Sequence, residues 1–591
     1  MKRLQCLTPF LVALGLLEAM GGSGETIMQK ASRRVLGVVV LLAGASVWPA
    51  EIPIGGRVVG SGGQPLAEAE VTLTASLGPV EQVHWMLAGA SPEPVSSSRT
   101  DPAGRFRVVA PHAGHWVVRV EAPGHVPVEM SLLGLLEPLD LPDAELAVDA
   151  GLTVRLADPD GTPLEGGLVR LVVPFDRESF GQPRWQVATR SGFSGADGAV
   201  RLSRGEGEPT IITASSPGRG VVERKFTRGT AETVEIPAAR LQTIEVRSAS
   251  GQAIADALLR VGDQLHPLGF TDEAGRLPAA LPNRGDLALQ IDVEDGRGLL
   301  TRLTPGSDSE SKKPRTYTLP DLRTVNGTVI DARTRRPIPG ALVWDQARIW
   351  DGSVTNDSGA FTLHGPLDHR MYITARAPIY LASRPTEFAL DDTARRGPVL
   401  ALDPGAAVEG VVVDANGEPV PDAEVSLEIK RSGGMFRLEI DFGGGGPPTA
   451  TTTERGLFRL SPVDPEKDYE MSVHAEGYGP AAKEIKGLRP YETQSGHRVE
   501  LRVGQTVIGR VVDPDGVALA DARITLRPAP ERGHGMVMRM GGGSEVSTVE
   551  GTTDVEGRFE ISGLAPGLID LDIRRSGYAK RVAQGIEVEE S

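Results

Sequence analysis

One phrase recurs six times along this chain of 591 residues, roughly every 80–100 residues. A short apolar strand runs into a turn of Asp, Asn and Gly, then a Pro, then a strand reading Ala-x-Val-x-Leu. The clearest copies are Gly410-Val411-Val412-Val413-Asp414-Ala415-Asn416-Gly417-Glu418-Pro419 leading to Ala423-Glu424-Val425-Ser426-Leu427, and Gly509-Arg510-Val511-Val512-Asp513-Pro514-Asp515-Gly516 leading to Ala522-Arg523-Ile524-Thr525-Leu526. A repeat of this length makes each copy a whole small domain rather than one turn of a solenoid. Asp at the first and Gly at the fourth turn position is type I turn chemistry. Strict alternation in the following strand buries one face and wets the other.

A second phrase follows in each copy, an acidic residue and Gly before another apolar strand. It reads Thr100-Asp101-Pro102-Ala103-Gly104-Arg105-Phe106, Thr271-Asp272-Glu273-Ala274-Gly275-Arg276-Leu277 and Thr553-Asp554-Val555-Glu556-Gly557-Arg558-Phe559. The recurrent carboxylates Asp101, Asp272, Asp357 and Asp554 read as turn formers. With a further alternating strand and a small-residue exit, about seven short strands per repeat spell a β-sandwich. The expected fold is all-β: six tandem immunoglobulin- or transthyretin-like sandwiches at residues 52–148, 151–240, 241–321, 322–404, 405–504 and 505–591. Each repeat should bury its own core. Short junctions then predict an extended end-to-end array with sparse contacts between repeats.

Gly327-Thr328-Val329-Ile330-Asp331, Arg336-Pro337-Ile338-Pro339-Gly340-Ala341 and Asp357-Ser358-Gly359-Ala360-Phe361 resemble the carboxypeptidase regulatory-like domain. The resemblance covers nearly all of residues 52–591 and is weakest in the third copy, where Ile244-Glu245-Val246 lacks the usual Gly. It implies a transthyretin-like sandwich with starch-binding-like relatives. It also implies a role as spacer, binding or accessory module in exported bacterial proteins, with no catalytic residue to carry over.

The totals support that class. Gly (72) and Pro (45) make up about a fifth of the chain, which suits short strands joined by turns. A formal charge of −16 argues against nucleic acid, which needs clustered Lys and Arg. The single cysteine, Cys6, excludes a disulfide framework and cysteine-based zinc. Residues 1–50 read as an export signal region. Lys30, Arg33 and Arg34 precede an apolar run and then Ala43-Gly44-Ala45, a small-x-small cleavage pattern, and Met28 is the expected true start. The rival reading keeps an uncleaved segment as a membrane anchor, but both apolar runs fall short of the ~20 residues that span a bilayer.

Residues with catalytic potential do not assemble into a known pattern. His497 and Glu500 stand three apart on a strand, so they point to opposite faces. His112, His115, Glu121 and His125 read as a surface cluster. Gly192-Phe193-Ser194-Gly195-Ala196 lacks the last glycine of a nucleophile elbow. Asp158 with Asp160, and Asp513 with Asp515, offer too few oxygens for calcium.

Neither a cofactor nor a metal is therefore expected. Candidate contacts to a partner or ligand are Trp85 (in a long loop), Trp344 and Trp350, with Met435, Phe436, Met536, Met538 and Met540 on two Gly-rich arms. Three thioethers on one strand face, beside His534, could instead hold Cu(I).

These readings converge on an exported, non-catalytic spacer, scaffold or binding module of the cell surface or periplasm. Its partner would be an envelope protein or polysaccharide. The alternatives are a carbohydrate-binding array and an accessory subunit of a secreted enzyme or outer-membrane receptor. N-terminal sequencing of exported material should place the first residue between Ser46 and Glu51; a start at Met1 would remove the signal reading.

Overall fold

The computed structural model describes residues 51–174, 184–281, 287–303, 313–366, 370–390, 397–430, 448–475, 477–514, 516–528, 549–564, 567–575 and 577–588. The expected signal region, Asp515 and the arms with Met435, Phe436, His534, Met536, Met538 and Met540 lie outside them. Among the described residues the elements are strands, apart from one helix, Pro79–Leu87. The all-β expectation holds, as six two-sheet units in tandem.

The fifth unit shows the plan. Its opening strand Ala406–Asp414 runs antiparallel to Leu457–Val463 and parallel to a closing strand, Thr493–Leu501. A second sheet takes the order Thr449–Thr451, Glu424–Ile429, Tyr469–His474, Ala481–Ile485. Val408 and Val412 on one sheet face Val425, Leu427, Met471 and Val473 on the other, and the closing strand adds Val499 and Leu501. Five further clusters of the same kind fill the other units. Strand alternation is what sorts these side chains inward.

One buried hydroxyl ties the two phrases of each repeat together. In the fifth unit Thr452 Oγ1 accepts from the Ala423 N–H at 2.8 Å and donates to the Val420 carbonyl at 2.8 Å. Thr100, Thr271, Thr355 and Thr553 make the same pair of bonds in the first, third, fourth and sixth units. Ser194 does so in the second. The residue after each threonine caps the next turn: Asp101 Oδ1 accepts from the Ala103 and Arg105 N–H groups, each at 2.9 Å. In the fourth unit that acceptor is Asn356, not Asp357. Both are Asx residues, and the threonine register settles which one sits at the turn. The glycine of this turn is required: at Gly456, φ is +68° and a Cβ would stand 2.3 Å from the Val412 carbonyl.

Two expectations change. The loop that carries Trp85 is a helix: Pro79 begins it, Glu81 caps the Gly78 N–H, and Val80 and Val83 share its inner face. Contacts between repeats are sparse but not confined to sequence neighbours, because the first unit touches the third, fourth and fifth. Its helix packs on the third unit, the Arg376 guanidinium donates to the Leu133 carbonyl at 3.0 Å, and Arg105 meets Asp422 at 2.7 Å. The strict end-to-end order is therefore revised. The physical cause is insertion and edge chemistry that period-two patterns do not encode.

Thr452→Val keeps the side-chain shape but strands a buried N–H and a buried carbonyl, at about 1–3 kcal/mol for each group left unpaired. The melting transition of the fifth unit should fall markedly, and Thr452→Ser should recover most of the loss. Equal effects for the two variants would show that packing, not the hydroxyl, matters there.

Candidate functional site

The chemistry that sequence reading scattered over separate repeats is gathered at joints between units. His115, on the strand Gly114–Glu121 of the first unit, points at the fourth. Its ring stands edge-on to Trp344 with centroids 4.8 Å apart and planes at 75°. The Gly134 N–H donates to His115 Nδ1 at 3.1 Å, so Nδ1 is the acceptor and the neutral ring carries its proton on Nε2. Burial, reinforced by the Arg376 charge, lowers the His115 pKa to about 4. Trp344 is only 5% exposed and has no open ring face for a ligand. Trp350 lies over Gly78, where a Cβ would meet its ring at 3.1 Å. Trp350 is 36% exposed and Trp85 37%.

The third unit is held on two sides. Val80 and Val83 of the helix bury against Leu258, and His84 stacks on Phe270 with centroids 3.9 Å apart. On the side of the second unit, the buried His266 has Nδ1 2.8 Å from Thr213 Oγ1 and Nε2 2.8 Å from Ser215 Oγ. Burial, with the Arg170 charge second, lowers its pKa to about 3. Arg170 itself donates across this joint to the Gln264 and Leu265 carbonyls.

Between the fourth and fifth units, Asp331 accepts from two tyrosine hydroxyls, Tyr380 at 3.0 Å and Tyr491 of the next unit. Burial opposes ionisation of Asp331. The Thr334 N–H, the two hydroxyls and the Arg333 N–H outweigh it and hold the pKa at about 2.

The other candidates do not converge. His112 packs on Trp116 and His125 contacts the Pro123 carbonyl, so neither joins His115. His497 Nε2 lies 3.1 Å from Gln494 Oε1. Asp158 spends its carboxylate on the Asp160 and Thr162 N–H groups and on Arg219. Asp513 caps the Val517 N–H. Among the described residues no three His, Cys, Asp or Glu side chains are placed to hold a metal, and no helix is long and apolar enough to cross a membrane. Sequence reading missed His266, Tyr380 and Tyr491 as joint residues. A histidine opening a strand or a tyrosine in a turn was the available signal, but the hydrogen-bond partners of His266 and Tyr491 lie in another repeat.

The fold and these joints define a multi-sandwich protein of the immunoglobulin-like kind. Residues 407–505 and 506–591 match, in tandem, the family model of the carboxypeptidase regulatory-like domain. No curated protein matches. Among solved structures, the Streptococcal ancillary pilin is 13% identical over 45% of this chain and 97% of its own, with a TM-score of 0.17. The Bacillus anthracis TIE protein is 11% identical over 79% of this chain and 77% of its own, with a TM-score of 0.15. The shaft pilin SpaA from Lactobacillus rhamnosus GG is 10% identical over 32% of this chain and 98% of its own, with a TM-score of 0.15.

The joints differ in their response to acid. A histidine whose pKa is lowered on burial contributes fully above its ordinary value near 6.5, and that contribution is lost as pH falls toward about 4 at His115 and about 3 at His266. Asp331, whose pKa is depressed, contributes fully above its ordinary 3.8 and fails only toward about 2. Hydrogen exchange at the Gly134 amide, corrected for intrinsic rate, should be constant from pH 8 to about 6.5 and then rise. The joint at Tyr491 should stay intact through pH 4. Simultaneous opening of both would contradict this assignment.

Proposed function

We propose that the protein is an exported, non-catalytic scaffold that holds sandwich units in set positions and presents their outer faces to a protein or polysaccharide of the cell envelope. The observation that carries this reading is where the buried polar chemistry lies. His115, through its ring contact with Trp344, and His266 and Asp331, through hydrogen bonds, are each committed to a neighbouring unit. Side chains used in this way stabilise placement between domains, and inter-domain faces without such bonds move by default. The tandem match to a regulatory-like domain family accords with a module that accompanies other activities. Fold alone does not name a ligand.

The polysaccharide version of this reading rests on Trp85 and Trp350, whose rings keep an exposed part. Stacking on an aromatic face is how such sites hold sugars, and Trp344 is already occupied by His115.

Cell fractionation with protease shaving of intact cells tests the export reading. The protein should sit outside the cytoplasm, and recovery in the cytosol alone would remove it. A glycan-binding screen with Trp85→Ala and Trp350→Ala variants tests the sugar reading. Binding that survives both substitutions, or no binding by the natural chain, would leave a protein partner.

A further inference from the structure

The first unit rests on the face of a fourth-unit sheet that is turned away from the fourth core. Val343, Ile373 and Ala375 point into that core. Leu342, Trp344 and Thr374 alternate with them and point the other way. Such a face is ordinarily wet, yet these three are only 4%, 5% and 2% exposed. The strand Gly114–Glu121 of the first unit lies against Arg348–Val354, the edge strand of this sheet. That contact brings His115 to Gly352 and Trp344.

The part that docks is a bulge. Gly114 pairs with Leu135 and Trp116 with Leu132, so Leu133 and Gly134 together oppose the single His115. Gly134 has a φ of +65°, and a Cβ there would stand 3.1 Å from the Trp344 ring and 3.0 Å from the Arg376 side chain. The Leu133 carbonyl accepts from the Arg376 guanidinium. Behind the bulge, the Gly134 N–H donates to His115 Nδ1.

That bond sets the charge state of the ring by geometry. An amide N–H is always a donor, so a proton on Nδ1 would set two donors against each other. It would also place a second cation in the field of Arg376. Two buried atoms, His115 Nε2 and Thr374 Oγ1, have no hydrogen-bond partner among the described residues, and both would gain water on opening. The nearby carboxylates do not compensate a charged ring. Asp351, beside Gly352, pairs with Arg348 at 2.7 Å. Burial raises the Glu137 pKa against the pull of Arg459 and Arg376. A carboxylate raised in this way favours the closed form in acid, so Glu137 softens the effect of His115 without reversing its sign at the ring.

We propose that the first unit is a proton-released cover. Protonation of His115 undoes the Leu133–Gly134 bulge, lifts it from the fourth unit and uncovers Leu342, Trp344 and Thr374. The helix contact with the third unit and the Arg105–Asp422 pair keep the first unit nearby, so the opening is local. An aromatic sheet face is thereby closed at neutral pH and offered in acid. The proposal goes beyond the scaffold reading and holds whatever the partner is.

The test is hydroxyl-radical labelling of the full chain, read residue by residue by mass spectrometry and normalised to the exposed Trp85. Trp344 reports the joint, while Trp116 in the first core and Met371 in the fourth report unfolding of a whole unit. With an ordinary value near 6.5 and about 4 in the closed joint, His115 should raise the open fraction by up to about twentyfold from pH 7 to pH 5. Trp344 labelling should follow, with Trp116 and Met371 unchanged. His115→Asn keeps an acceptor for the Gly134 N–H that takes up no proton, so its Trp344 labelling should not rise as pH falls, whatever its starting level. Constant Trp344 labelling in the natural chain, a rise that persists in His115→Asn, or a rise that Trp116 or Met371 shares would each overturn the proposal.

Discussion

A single buried hydroxyl, repeated in every unit, holds the architecture together. Thr452 and its counterparts receive an N–H from the start of one strand and give a proton to a carbonyl just before it, and they do so from the second phrase of the repeat. The contact is local in space and distant in sequence, 29 and 32 residues apart in the fifth unit. It fixes where the second phrase of the repeat meets the first, and so sets the register of both sheets. A one-residue slip would turn every inward side chain outward. The same position accepts Ser194 in the second unit, which shows that the requirement is for a hydroxyl rather than for a β-branched shape.

Beyond each unit, a different chemistry takes over. The joints use rings and charges: His115 against Trp344, His84 against Phe270, and Asp331 between Tyr380 and Tyr491. Each sits at a place where a strand end or an inserted helix reaches a unit that is not part of its own sandwich. Desolvation favours the neutral histidines and hydrogen bonding favours the charged aspartate, so the joints differ in electrostatic character while serving one purpose.

Much of this was legible beforehand. Period-two alternation placed Val425 and Leu427 inside, and the Asx-Gly turns marked the strand ends, because both signals act over a few residues. The fourth unit shows how fine the reading can be. Asn356 and Asp357 are both capable turn formers, and only the hydrogen bonds assign the role to Asn356. The helix at Pro79–Leu87 carried its own signals, a Pro at the first position and Glu81 at the third. A short insertion inside a β repeat hid them.

By itself, then, the sequence determined the all-β class, the repeat and the inward faces of the strands, since these depend on local propensity and periodicity. Only the tertiary structure decided which tryptophan is buried and which histidine is locked between units. Arg376 and Leu133 are 243 positions apart, and Tyr491 and Asp331 are 160 apart. No pattern along the chain encodes such pairs, because they exist only once separate domains have folded and met.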